Sequence, residues 1–190
     1  MAKIGLNNFW YSKATVAGST ITYGTPATPG KAVDFTFTPT LADASLYADD
    51  GLAEYDNQVT GGDVSLGVAE ADDTTMNALL GHTFGTSPDT AVQTSDINDT
   101  IPYNGVGRIT RLMVNGTQKF RATVLRLVKF AEPSEEENTR GETVSFATYT
   151  LPGKMIIPAD GKWRRRETFD TYDAAVTWVK TELGYVAPTP

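Results

Sequence analysis

The 190-residue chain contains no cysteine and a single histidine, His82. Without cysteine there is no disulfide framework, no thiolate metal site and no thiol nucleophile. One histidine rules out a His-pair metal centre within one chain. Also missing is any run of about 18 apolar residues, the length a helix needs to span a bilayer. Residues 1–13 lack the continuous apolar core of a secretion signal, so the expectation is a mature chain kept in the cytoplasm that makes it. Positive charge is scarce in the first half. Residues 1–100 hold three basic against thirteen acidic side chains, a net of −10, whereas residues 101–190 hold thirteen against ten, a net of +3. The whole chain carries −7, which disfavours tight nucleic-acid binding by phosphate neutralisation. The asymmetry suits copies that meet through unlike faces, acidic against basic, where complementary charge supplies register and encounter rate. The plainer alternative is one globule whose halves differ.

What is present is period-two alternation. A chain of this length is expected to form a single domain, 1–190, with enough core to fold unaided. Val33, Phe35 and Phe37 alternate with Asp34, Thr36 and Thr38, a run that Pro39 is expected to stop. Val64, Leu66 and Val68 alternate with Asp63, Ser65 and Gly67 after a turn assigned to Gly61-Gly62. Residues 108–114 and 117–130 read as two strands joined by Asn115-Gly116, the strongest short-range hairpin signal. In the second strand Phe120, Ala122, Val124, Arg126, Val128 and Phe130 fall on one face, with Lys119, Arg121 and Lys129 on the other. A further strand is expected at 142–151. Two helices interrupt the pattern. Asp72 or Asp73 caps one that ends at Leu80, with Gly81 beyond it. Tyr172, Ala175, Val176, Val179 and Leu183 make one stripe of a helix at about 171–183, capped by Asp170 or Thr171 and ended by Gly184. The fold expected is mainly β, a β-sandwich or barrel with a flanking short α-helix and a C-terminal helix. Residues 18–30, 41–60 and 81–107 read as long loops, and loops of that length are often ordered by a partner. The 41–60 segment is expected to be an assembly loop, and 152–190 a C-terminal extension that carries the helix.

Catalytic chemistry is not legible. His82 follows a helix end with no local carboxylate to orient it and no nucleophile elbow, so it reads as structural. Asp49-Asp50 and Asp72-Asp73 lack the alternating spacing and closing Glu of an EF-hand loop. Gly105-Val106-Gly107 lacks the third glycine of a dinucleotide fingerprint, since Thr110 holds that place. The expectation is no enzyme, no cofactor and no metal. Arg164-Arg165-Arg166, beside Lys162 and Trp163, is the one basic cluster. It could stack on a nucleic-acid strand, solvate a strand, or meet an acidic surface of another subunit. Residues 154–166 carry five basic side chains against Asp160, and 43–73 carry nine acidic and no basic ones. An arm leaving the sandwich after Pro152-Gly153 and Pro158 is expected to bring the first to the second.

Two segments carry a family resemblance. One is Ser45-Leu46-Tyr47-Ala48-Asp49-Asp50-Gly51, followed by Gly61-Gly62-Asp63-Val64-Ser65-Leu66 and the helix end Leu79-Leu80-Gly81. The other is Asn115-Gly116-Thr117 with the strand to Lys129-Phe130, then Pro133-Ser134-Glu135-Glu136, Thr139-Arg140-Gly141-Glu142-Thr143 and Phe146, with Asp160-Gly161-Lys162-Trp163 beyond. In order and spacing these resemble the major tail tube proteins of long, flexible-tailed bacteriophages over about residues 40–166. The strand at 123–127 is poorer in aromatics than the family's. The resemblance implies a structural virion protein whose copies close as hexameric rings. Such rings stack into a hollow tube, assembled in the bacterial cytoplasm, along which DNA passes without being held. Tape-measure and tail-terminator proteins are the further partners it implies, and no membrane. The inner tube of a contractile injection machine is a rival within the class. The alternative from another class is a β-sandwich virion decoration module that binds host or carbohydrate. The candidate subunit contacts are Tyr47, Asp49, Asp50 and Tyr55 on the acidic side, and Lys162, Trp163, Arg164, Arg165 and Arg166 on the basic side.

Overall fold

The computed structural model describes residues 2–48, 51–69, 73–86, 91–134 and 148–186. The elements among them are β1 (Ala2–Ala17), β2 (Thr20–Tyr23), β3 (Ala32–Ala48), β4 (Gly51–Val68), α1 (Asp73–Leu80), β5 (Thr83–Thr86), β6 (Ala91–Thr94), β7 (Tyr103–Val114), β8 (Thr117–Phe130), β9 (Tyr149–Met155), β10 (Arg164–Phe169) and α2 (Tyr172–Glu182). Eight strands make one antiparallel sheet in the order β2-β1-β7-β8-β9-β4-β3, with β10 also on β8. The fork lies on one edge of β8, where β10 pairs with residues 120–125 and β9 with residues 128–130. The sheet turns back on itself there, and Phe9 of β1 stacks on Phe35 of β3 with ring centroids 5.3 Å apart. The fold is mainly β, a β-sandwich with two short flanking helices, as the alternation predicts.

The centre of the sheet follows local rules. Asn115 and Gly116 adopt φ of 48° and 78°, the two positive values a two-residue hairpin turn needs. That turn sets Val114 opposite Thr117 and, step by step, Arg108 opposite Thr123. Further along, the register slips. Asn104 pairs with Val128 but Val106 with Leu125, so three steps on β8 oppose two on β7. An odd step flips the side chains to the opposite face. Phe120, Ala122 and Val124 therefore lie in the core beneath α2, whereas Val128 and Phe130 join Leu125 in the core between the layers. This corrects the expectation that all even positions of this strand share one face.

α2 starts where its cap predicts, with Thr171 Oγ1 accepting from the Ala174 N–H at 3.4 Å. Its Ala175, Val179 and following Leu183 are fully buried against β7 and β8. β7 admits the helix because it is bare there. A Cβ on Gly107 would lie 2.5 Å from Val179 Cγ1, and one on Gly105 2.9 Å from Leu183 Cδ2. Packing, not phosphate binding, accounts for the Gly105-Val106-Gly107 sequence. α1 ends as expected, with Gly81 at φ 82° and its N–H on the Asn77 carbonyl.

Further expectations are corrected. Residues 41–48 and 51–59 are not a loop: they form the outer half of the β3–β4 hairpin, paired from Leu41↔Val59 to Ala48↔Gly51. β3 runs straight through Pro39, opposite Gly62. As an edge strand it tolerates a residue with no N–H to give. Gly61-Gly62 lies mid-strand, and Gly62 is bare because a Cβ would meet Phe37 Cε2 at 2.5 Å. The segment 152–190 is no appendage, since Pro152-Gly153 sits inside β9 between β4 and β8, β10 pairs with β8, and α2 covers the sheet. The segments read as loops at 18–30 and 81–107 contain β2 and the β5–β6 pair with the start of β7. The part of the expected 142–151 strand before residue 148 lies outside the described residues.

Candidate subunit-contact surfaces

Strand period divides the basic cluster. Successive residues of β10 point to opposite faces, so Arg165 stands opposite Val124 on the helix side while Arg164 and Arg166 stand opposite Leu125 and Thr123 on the inter-layer side. Arg165 Nη1 lies 2.6 Å from Glu182 Oε1 of α2. The Arg164 guanidinium lies over the Trp163 ring at 4.4 Å. Trp163 is partly buried and packs on Phe37 at 5.6 Å. Lys162 is exposed, while its backbone joins a turn in which Asp160 binds the Lys162 N–H and Arg126 donates to the Lys162 carbonyl at 2.9 Å. The Arg126 hydrogen bond, with the Lys162 amide, holds the Asp160 carboxyl below the usual carboxylate range. The five basic-side candidates are therefore neighbours in sequence with different occupations, and Arg165 is already committed within its own chain.

Arg166 instead belongs to a constellation that no single stretch of sequence displays. A cleft of about 370 Å³ opens at one end of the sandwich, lined by Lys3 of β1, Phe35 and Phe37 of β3, Arg108 of β7, Arg121 of β8 and Arg166 of β10. No acidic side chain lines it among the described residues. The Arg108 guanidinium lies over the Phe35 ring, 4.3 Å from its centroid. Burial, reinforced by Arg166 and Arg164, brings its pKa down to about 10. Burial and then Arg164 and Arg121 lower Arg166 as well. Burial acts first on both groups, and the neighbouring guanidinium groups add to it. One sequence signal was available for part of this, because the Asn115-Gly116 turn fixes a register that makes Arg108 and Arg121 diagonal neighbours. A larger cleft of about 640 Å³ lies on β4, β8 and β9 near Gly61 and Ile156, and is mostly apolar.

The outer β3–β4 hairpin is the acidic counterpart. Beyond Gly62, which still pairs with Met155, no third strand joins β4 among the described residues. The two strands form a free-standing ribbon. Residues 38–45 and 54–58 are all exposed, and Asp43, Asp49, Asp50, Glu54 and Asp56 give 41–60 five negative charges and no positive one. Tyr55 is 56% exposed, donating to Asp43 Oδ1 at 3.2 Å and accepting from the Asn57 amide at 3.0 Å. Asp49, Asp50 and the side chain of Tyr47 lie outside the described residues.

His82 is structural, as its sequence reading has it, but its partners come from far along the chain. Nothing local orients it, yet Asp99 lies 2.9 Å from Nδ1 and Glu132 2.6 Å from Nε2. The side chain is only 7% exposed. The Asp99 hydrogen bond, outweighing burial and joined by Glu132, raises its pKa. With both ring nitrogens facing carboxylates, the favoured form is an imidazolium that ties the end of β8 to the segment after β6 (His82 itself follows α1). Neither nitrogen is left to act as a base. Among the described residues no group of three His, Cys, Asp or Glu could hold a metal ion, and no helix is long and apolar enough to cross a membrane. No protein-family model matches the chain, and no curated protein matches it either.

Proposed function

We propose that this chain is a structural subunit that polymerises head to tail, as the major tail tube protein of a long-tailed bacteriophage does. Its rings would stack into a conduit for DNA, and it would have no catalytic activity of its own. The observation that carries this reading is the outer β3–β4 ribbon, which has no third strand beside it among the described residues and is exposed at 38–45 and 54–58. A two-stranded hairpin with neither face covered is at best marginally stable in water, and an open edge strand is a template for another chain. Such a ribbon gains order when a second copy covers it. Unlike surfaces on one molecule close rings or extend filaments, whereas a self-complementary patch would stop at a dimer. The sequence resemblance around Tyr47 and Asn115-Gly116 supports the tube class in particular, and a net charge of −7 suits a wall along which DNA slides rather than binds. Tape-measure and terminator proteins would then be its partners in the virion tail.

Negative-stain microscopy of the concentrated, purified chain tests this. Rings or tubes of uniform diameter are the expected result. A chain that stays monomeric at every concentration, and shifts in the presence of oligosaccharide, would replace the tube reading with the decoration-module one.

A further inference from the structure

We infer that the cationic cleft formed by Lys3, Arg108, Arg121 and Arg166 is the receptor for the acidic ribbon of a second copy of this chain. This rests on the polymerising reading above and adds to it the mating surface. Arg108 and Arg166 have no carboxylate partner among the described residues, and the cleft encloses space for about a dozen waters. Clustered guanidinium groups on paired strands, one of them held over the Phe35 ring, form planar forks suited to carboxylate oxygens. An anion entering the cleft would relieve the mutual repulsion of Arg108 and Arg166. The ribbon supplies that anion chemistry, with Asp43, Glu54 and Asp56 all exposed.

Geometry makes the contact intermolecular. Phe35 and Phe37 in the cleft wall lie on β3, the same strand that runs out to Asp43. Six to eight residues of extended strand separate them, about 20–26 Å at 3.3 Å per residue. A strand paired throughout with β4 cannot fold back across that distance. Each copy therefore offers a ribbon at one end and a cleft at its root, and the ribbon must find the cleft of another molecule. That arrangement is heterologous and propagates. Each carboxylate–guanidinium pair is modest, about 1 kcal/mol or less where exposed, but several pairs at every junction act together.

The test uses two charge-reversed full-length chains. One carries Lys3→Glu, Arg121→Glu and Arg166→Glu, which takes the cleft's four cations to three anions and one cation and leaves Arg108 on its ring. The other carries Asp43→Lys, Glu54→Lys and Asp56→Lys. Each alone should keep the wild-type circular dichroism and sediment as a monomer, with the concentration needed for assembly raised at least about tenfold. Mixed one to one, they should assemble again, because each chain's ribbon now matches the other's cleft. If the wild-type chain forms rings and both variants do so at the same concentration, the inference fails and the polymerising reading stands. The inference also fails if the mixture does not restore assembly. Wild-type chain that never assembles overturns both. Duplex DNA bound by the wild-type chain at physiological salt, and lost in the cleft variant while assembly is unchanged, assigns the cleft to phosphate and overturns the inference.

Discussion

Reversing Arg165 should damage stability and spare assembly, the opposite of what a contiguous arginine patch would lead one to expect. Arg165 faces α2, where its guanidinium reaches the Glu182 carboxylate at 2.6 Å. The arginine side chain is 56% exposed and the glutamate 17%, so the pair is partly screened. Pairs at the surface are worth about 0.2–1 kcal/mol, and the low exposure of Glu182 places this one in the upper part of that span. Arg165→Glu loses the pair and sets two carboxylates together, for a total of about 1–2 kcal/mol. In a chain of this size that corresponds to roughly 2–8 °C in Tm. Urea denaturation followed by tryptophan fluorescence reads it directly, because Trp178 lies on α2 and packs on Phe169 of β10 at 6.0 Å. The swap Arg165→Glu/Glu182→Arg should recover most of the loss, and raising salt should shrink the wild-type advantage by screening. A double-mutant coupling indistinguishable from zero would refute the reasoning. The docking of β10 and α2 would then rest on Phe169, Trp178 and the buried stripe alone.

Leu183→Ala removes a fully buried side chain from the helix core and should cost about 2–5 kcal/mol, read as a lower urea midpoint with α2 loosened from the sheet. The His82 clamp makes stability depend on pH. Its folded pKa is raised above the unfolded value, so its contribution is complete below about pH 6.5 and lost as pH rises through the folded pKa. The wild-type urea midpoint should fall across that window while His82→Gln stays level, and parallel profiles would contradict the clamp. Asp99, whose carboxyl is lowered by the Asp96 amide and by His82, acts in the opposite direction: its share is lost as pH falls through its own folded value. Amides of the outer ribbon, 41–46 and 54–59, should exchange with solvent far faster than those of β8 in the monomer and become protected in the assembly. Equal exchange in both states would mean that the ribbon is not the part that docks.

Local chemistry writes a good part of this fold into the sequence. Asn115-Gly116 permits a turn that few other pairs do, so the β7–β8 hairpin and its register near the turn are legible from those two residues and the alternation on either side. The α2 stripe and its Thr171 cap are legible too, because a helix writes its buried face every three or four residues and its start in one side chain. The mainly β character follows from period-two alternation wherever one face of a strand is buried. Where neither face is buried that signal vanishes, which is why 41–60 reads as a loop: residues 41–45 and 54–58 are paired strand and exposed throughout. Pro39 misleads for a related reason, since only the tertiary arrangement makes β3 an edge where a missing N–H is harmless. The slip between β7 and β8 is likewise invisible locally, because it depends on which residues the partner strand presents. Arg164, Arg165 and Arg166 look like one patch in sequence, and a strand's alternation sends them to two faces with separate tasks. The cationic cleft gathers residues from β1, β7, β8 and β10, and the partners of His82 lie 17 and 50 residues away. Proximity of that kind is set by how the sheet folds over, and only the tertiary structure decides it.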